Sequence, residues 1–326
     1  MKIRILVNQL GDADSIFIGV LDEKRSLVIL LDGGRKGDAG KLKGKLDSFL
    51  AFFGKKAPDL VIASHYDDDH IAGIQPLITP FGKDVHLLWA FDTENLHASL
   101  QVPEEKESIL PSDDDTTAGA AFQSNGKEID VLIESIKKEQ DLLRYAKATE
   151  IETVQPVVNE CSLAEWPEVV ILSPTRAYYD SLFPKNLKPA SLLVEQAEAK
   201  ADSGRGSEAP CECLSLKKSP ISAVNLNSCI FKITVEGKVF LFAADAGIDS
   251  FYQIENYQEQ LKDIFWLKVP HHGSANNLNK ELIELMSPKI AVISGDKHVS
   301  GEIVRCLQKG GAEVIVTSAG DFDRDF

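Results

Sequence analysis

The stretch SHYDDDH, residues 64–70, sets five ionisable side chains on six consecutive positions: His65, Asp67, Asp68, Asp69 and His70. Carboxylates crowded this way repel one another, so a fold that keeps them needs cations to balance them. Imidazoles converging with carboxylates are donors for a divalent metal. A solvated acidic loop is the plainer alternative. That reading suits SDDDTT (112–117), which has no histidine and no strand before it. It suits 64–70 poorly. DLVIAS (59–64) stands in front and reads as a short buried strand after Pro58, and IAGIQPLI (71–78) follows with Ile71, Ile74 and Leu77 at roughly helical spacing. The acidic knot therefore lies between a strand end and a helix, where open α/β sheets carry their sites.

Three further places repeat this grammar. VPHHGS (269–274) brings His271 and His272 to the end of another strand; VFLFAADAG delivers Asp245, and LVILLDGG delivers Asp32. A lone carboxylate at a strand end is more often a turn former than a ligand, but four such elements in one chain point to a common centre. Of the seven histidines, His86 lies inside a strand-like run and reads as structural, and His97 lies in a polar stretch that suggests no role.

These residues need a scaffold, and the hydrophobic pattern supplies one. Strands are predicted at 2–8, 14–20, 26–34, 59–64, 84–91, 168–174, 263–270, 289–294 and 312–319, with a hairpin turning at Glu236-Gly237 within 227–247. Helices are predicted over 41–53, 127–148 and roughly 299–309, and residues 99–126 read as a polar loop. The strands fall into two batches, each opening with antiparallel pairs. The fold class expected is α/β: two mixed sheets packed face to face with helices outside, a four-layer αββα sandwich. One domain over 1–326 is expected, with insertions at about 99–160 and 185–222. The second insertion is rich in Ala, Ser, Lys, Glu and Gly and is expected to be flexible.

Composition narrows the class. Hydrophobic residues make up 44% and charged residues 26% of 326 positions, as in a soluble globular protein. No apolar run approaches a membrane span, and polar residues come too early for a signal peptide. Five scattered cysteines, with only Cys211 and Cys213 close together, suit a reducing cytoplasm. The net charge of −15 argues against broad nucleic-acid binding, but segment 99–160 alone holds 14 acidic against 6 basic residues. The remainder is nearer neutral, and bound metal would cancel several carboxylates, so a nucleic-acid substrate stays open.

The motifs together resemble the metallo-β-lactamase fold. Asp-Gly-Gly follows an early strand, H-x-D-x-D-H appears as His65, Asp67, Asp69 and His70, Asp245 closes a strand, and a His-Gly pair comes late. The finer resemblance is to the ComEC-like branch. Its G-D-[SA] element resembles Asp14-Ser15, its N-x-x-S resembles Asn225 and Ser228, KVPHHGS is present at 268–274, and its last strand, histidine and helix resemble AVIS with His298. The likeness spans about residues 2–320 without the two insertions, and the channel-forming membrane part of that branch is missing from it. One departure stands out: NLNSC (225–229) offers no third-motif histidine, leaving Asn225, Asn227 or water to complete the first metal site.

The resemblance implies a hydrolase with two divalent ions, Mn, Zn or Mg, and a hydroxide bridging them as nucleophile. His65 and Asp67 would hold one ion, Asp69, His70 and His272 (or His271) the other, and Asp245 would bridge. His272 is favoured because Gly273 lets the turn approach closely. Asp32 is expected to fix the early loop, Asp68 to face water, His298 to act as general acid or hold a substrate oxygen, and Lys268 to reach a phosphate or else point to solvent. An oxygen-rich donor set, with Asp67 where relatives carry histidine, favours Mn²⁺ or Mg²⁺ over Zn²⁺. The leading expectation is a phosphodiesterase or nuclease acting on DNA, RNA or a nucleotide. The alternatives are lactone or thioester hydrolysis on the same ions, and an effector or regulatory subunit of a bacterial antiviral defence system that docks a partner protein through its insertions.

Overall fold

The computed structural model describes residues 1–92, 134–183, 220–295 and 297–326, with Cys211 and Leu214 between them. The expected loop at 99–126, the first part of the predicted helix at 127–148, His97, and nearly all of the insertion expected at 185–222 lie outside the described residues.

Two sheets form the centre. In the first, β1 (Lys2–Val7), β2 (Ile16–Leu21) and β3 (Ser26–Leu31) run antiparallel, and β4 (Leu60–Ile62), β5 (Leu87–Trp89) and β6 (Glu152–Val154) continue parallel to β3. The second repeats the scheme. Here β7 (Val169–Ser173), β8 (Ile230–Val235) and β9 (Lys238–Phe242) are antiparallel, and β10 (Trp266–Lys268), β11 (Ile290–Ile293) and β12 (Glu313–Val316) are parallel. The last strand, β13 (Phe322–Asp325), crosses back to pair with β1. The predicted strands are present with their ends trimmed; β6 and β13 were not predicted, because ETV and FDRD carry almost no apolar signal.

Period-two alternation fills both faces of each sheet. Ile3, Ile5, Ile18, Ile29 and Ile62 meet Phe231, Phe240, Phe242, Trp266 and Val292 in the space between the sheets. On the outer face of the first sheet, Phe17, Leu30, Val61 and Leu88 pack under Leu42, Leu46 and Phe49 of the helix Ala39–Phe52. On the outer face of the second, Leu241, Leu267 and Ile293 pack under the helices Lys280–Met286 and Gly301–Lys309. The order is helix, sheet, sheet, helix, as expected. The predicted helix at 127–148 is helical from 134 to 148 among the described residues and buries Ile136, Leu142 and Ala146 against the first sheet's outer layer.

Cys211 forms a disulfide with Cys306 of the helix Gly301–Lys309. This pairing was not legible from spacing, since the partners are 95 residues apart. Among the described residues no helix is long and apolar enough to cross a membrane.

Candidate metal centre

The parallel strands of both sheets end at one edge of the sandwich. Asp32 follows β3, the acidic loop follows β4, Asp245 follows β9, and the two histidines follow β10. Asp14 joins them because β2 runs antiparallel to β3, with Ile16 opposite Leu31, so the start of β2 lies beside the end of β3. The acidic loop does not run into one continuous helix. Asp68–Ile71 and Ile74–Ile78 are separate helices, joined at Gly73. Gly73 packs so closely that a Cβ there would lie 1.9 Å from the carbonyl oxygen of Gly33. Gly73 N–H donates to Gly34 O, and Gly33 N–H to His70 O, so the Asp-Gly-Gly loop and the acidic loop are stitched together.

Backbone strain gathers at the same edge. Asp32, Ala244, His271, His272 and Gly273 all have positive φ, the last three in succession at 45°, 51° and 81°. Non-glycine residues adopt this region at a cost, and such cost clusters at sites where the surroundings enforce it.

Three buried imidazoles are oriented in the same sense. His70 Nδ1 lies 2.8 Å from Asp32 Oδ2 and donates to it. Ser64 Oγ also donates to Asp32 Oδ2, at 2.7 Å, so it accepts from His65 Nδ1 at 3.0 Å. His272 Nδ1 lies 3.1 Å from the carbonyl oxygen of Ser294 and donates to it. In its neutral form each ring therefore turns an unprotonated Nε2 inward. All three Nε2 atoms are buried without a hydrogen-bond partner, as are Asp245 Oδ1 and Asp14 Oδ1. Buried polar atoms are almost always satisfied. Five orphans at one strand edge, all nitrogen or carboxylate oxygen, form a donor set that fits a divalent cation.

Distances define the cluster. Asp245 Oδ2 lies 3.4 Å from His70 Nε2, 3.9 Å from His65 Nε2 and 3.8 Å from His271 Nε2. His65 Nε2 is 3.6 Å from Asp67 Oδ2, and His272 Nε2 is 4.0 Å from Asp69 Oδ2. Asp14, His70, Asp245 and His272 each offer one donor atom within 4.8 Å of the others, and all four are buried.

The electrostatics agree with a cation-seeking pocket. Burial disfavours a charged His70, yet Asp245 and Asp32 outweigh it and raise its pKa well above the ordinary histidine range. Burial pushes the Asp245 carboxyl up, but His70, His271 and His272 hold it well below the usual value. Burial raises the Asp69 carboxyl, and Asp67 and Asp245 add to this against the opposing pull of His70 and His272.

The remaining predicted residues occupy distinct places. His272 rather than His271 belongs to the tight cluster, and His271 lies on its outer side with its Nε2 towards Asp245. Asp32 supports His70 and Ser64 as well as its loop. Ser228 Oγ accepts from Asp245 N–H at 3.2 Å, which gives the N-x-x-S element a supporting task. Asn225 and Asn227 are buried in and beside the short helix Ala223–Leu226. His298 lies beyond β11, its ring centroid 5.4 Å from that of His271 and 5.9 Å from that of His272. His86 stands just ahead of β5 and is exposed.

Two expectations need correction. Asp68 does not simply face water: it pairs with Lys138, because the helix 134–148 lies against the acidic loop, and with Arg35 at 3.5 Å. Lys268 neither points to solvent nor stands open to a substrate phosphate. Its side chain is fully buried, and its ammonium lies 2.8 Å from Asp14 Oδ2. The sequence reading missed Asp14 as a donor, although it singled out the motif containing it. It also missed Ser64 and Ser294, whose part is visible only once the histidine rings are placed. Arg35, on the rim, pairs with Asp12 at 3.2 Å and Asp69 at 3.7 Å.

Residues 11–150 match the family model of the Metallo-beta-lactamase superfamily. Among solved structures, the metallo-beta-lactamase fold protein YhfI from Bacillus subtilis aligns over 99% of this chain and 100% of its own, at 13% identity and a TM-score of 0.46. No curated protein matches. The family match and the two mixed sheets flanked by helices agree with the metallo-β-lactamase fold.

Proposed function

We propose that this chain is a metal-dependent hydrolase of the metallo-β-lactamase superfamily whose substrate is a phosphodiester. The observation that carries the metal-dependent part is the common orientation of His65, His70 and His272, each with Nδ1 bonded outward and Nε2 buried and unbonded. His65, Asp67, Asp69, His70, Asp245 and His272 would hold the ions. A divalent ion held here supplies Lewis acidity towards a phosphoryl oxygen and makes water acidic enough to act as nucleophile near neutral pH.

The chain's own residues supply the rest. Asp32 and Ser64 keep two imidazoles in the ligating tautomer, the role of an outer partner in metal sites. His298 stands at the rim beside His271 and His272, where an imidazole can protonate a leaving oxygen. Arg35 lies against Asp69 at the mouth. A cavity of about 440 Å³ between the acidic loop's helices and the helix 134–148 is lined by Lys36, Lys137 and Lys138 together with Glu134 and Asp141, and Lys138 pairs with Asp68 and Glu134. Lysines outnumber carboxylates in this lining by three to two, a small positive excess that suits an anionic substrate better than a neutral lactone or thioester. This supports the phosphodiester over the carbonyl reading, as does the oxygen-rich donor set.

The test is direct. Purified protein is incubated with Mn²⁺ and single-stranded DNA, plasmid DNA, RNA or bis-p-nitrophenyl phosphate, beside a panel of lactones and thioesters. Diester cleavage that disappears in Asp69→Ala supports the proposal. Turnover of lactones or thioesters alone refutes the substrate class. Inertness on every substrate, with capture of a partner protein, favours the docking role instead.

A further inference from the structure

We infer that Asp14 is itself a metal ligand, held in that position by Lys268, and that the tighter ion of the centre is bound by Asp14, His70, Asp245 and His272. The inference rests on the metal-centre reading and adds to it a donor that no histidine-rich motif of the chain contains.

The Asp14 carboxylate is divided between two tasks. Its Oδ2 accepts from Lys268 Nζ at 2.8 Å, with both side chains buried. Its Oδ1 has no hydrogen-bond partner and is buried too. A simple buried ion pair does not explain this, because it leaves a carboxylate oxygen desolvated and unmatched, which is costly. It belongs instead to the residue cluster in which Asp14, His70, Asp245 and His272 each offer a donor atom within 4.8 Å of the others, and Asp14 Oδ1 itself lies 3.8 Å from the His272 ring at Nδ1. The backbone also fixes Asp14 to the site. Its N–H donates to Asp69 O at 3.1 Å, and its carbonyl accepts from Gly34 N–H at 2.8 Å. Asp14 is thus tied by main-chain bonds to the acidic loop and to the Asp-Gly-Gly loop.

Charge balance gives Lys268 its part. Of the two carboxylates in this donor set, Asp14 and Asp245, the buried ammonium offsets the charge of one. With neutral imidazoles the set keeps a net charge of −1 towards a divalent ion. The other half of the centre has fewer close donors. His65 Nε2 has Asp67 at 3.6 Å and Asp245 at 3.9 Å, and among the described residues the four-donor cluster does not include it. Lys268 is therefore a positioning residue: it binds one oxygen of Asp14, leaves the other free for the ion, and offsets one of the pocket's negative charges.

The test uses the full chain, stripped of metal by chelation, with Mn²⁺ or Zn²⁺ alone as probe. Affinity is read by calorimetric titration, and the metal-induced rise in Tm by thermal unfolding. Asp14→Asn is expected to weaken the tighter ion about tenfold or more. Lys268→Met leaves a buried carboxylate uncompensated until an ion binds, so its metal-induced rise in Tm should exceed that of the wild type. The double variant Asp14→Asn with Lys268→Met removes both charges, keeps the core neutral, and should bind metal as weakly as Asp14→Asn. Wild-type affinity in the double variant would show Asp14 to be only the counter-ion of Lys268 and overturn the inference. So would a metal-induced rise in Lys268→Met no larger than that of the wild type. A wild-type chain that takes up neither ion overturns the metal centre, and this inference with it.

Discussion

Replacing Asp32 by asparagine exchanges one oxygen for nitrogen and should disable the metal centre without touching a ligand. Asp32 accepts three hydrogen bonds: from Ser64 N–H at 2.8 Å, Ser64 Oγ at 2.7 Å and His70 Nδ1 at 2.8 Å. Asparagine keeps an acceptor for the Ser64 amide but turns an NH₂ group towards His70 and the Ser64 hydroxyl. His70 Nδ1 must then accept, which places the ring proton on Nε2, towards the ion. The Ser64 hydroxyl must also accept, so its own proton turns to His65 Nδ1 and moves that ring's proton to Nε2 as well. Two ligating nitrogens are blocked by one substitution. Loss of an outer partner typically costs 10–100-fold in metal affinity, or about 1.4–2.7 kcal/mol, and two affected rings put the expectation at about 100-fold. The fold should survive, because asparagine tolerates the positive φ of 57° at this position. Calorimetric titration of ion-free protein with Mn²⁺ measures the loss, and long-range ¹H–¹⁵N spectra of the imidazoles report the tautomers. A folded Asp32→Asn variant whose Kd stays within about twofold of wild type would refute the tautomer argument.

Chelation of metal-containing protein should lower its Tm, since the ion stabilises the native state by mass action and its removal leaves Asp67, Asp69 and Asp245 in mutual repulsion; an unchanged melting curve speaks against the centre. The raised pKa of His70 sets the direction with pH. In ion-free protein the charged ring stabilises the fold fully below the unfolded pKa of about 6.5, and this contribution fades as pH rises through the folded value. Metal affinity should run the opposite way, strengthening with pH. At neutral pH binding should release protons, measurable as buffer-dependent titration enthalpies. Gly73→Ala should cost on the order of 3 kcal/mol or prevent folding, because its Cβ would lie 1.9 Å from a backbone oxygen; chemical denaturation decides this. Asp67→His should move the metal giving highest turnover from Mn²⁺ towards Zn²⁺, and refilling ion-free protein with each ion tests it.

Some of this protein is determined by short stretches of chain. The apolar runs in KIRILV, SLVILL and KVFLF decide the central strands, because each must bury both faces. The strand-end positions of Asp32, His65–His70, Asp245 and His271–His272 mark the site, because ionisable side chains placed directly after apolar strands must gather where the strands end. The edge strands ETV and FDRD were not legible, since they are held by ladder bonds and carry little apolar signal. Only the tertiary structure decided how the donors divide their tasks. Asp14 and Lys268 are 254 positions apart, and nothing local distinguishes a ligand from a loop carboxylate or a buried ammonium from a surface one. Their roles follow from β2 starting beside the ends of β3 and β10, which puts one Asp14 oxygen on Lys268 and leaves the other in the pocket. The inward turn of His65, His70 and His272 was likewise undetermined by sequence: an imidazole can ligate through either nitrogen, and the choice is made by Ser64, Asp32 and Ser294, which reach the rings only after the two sheets have packed.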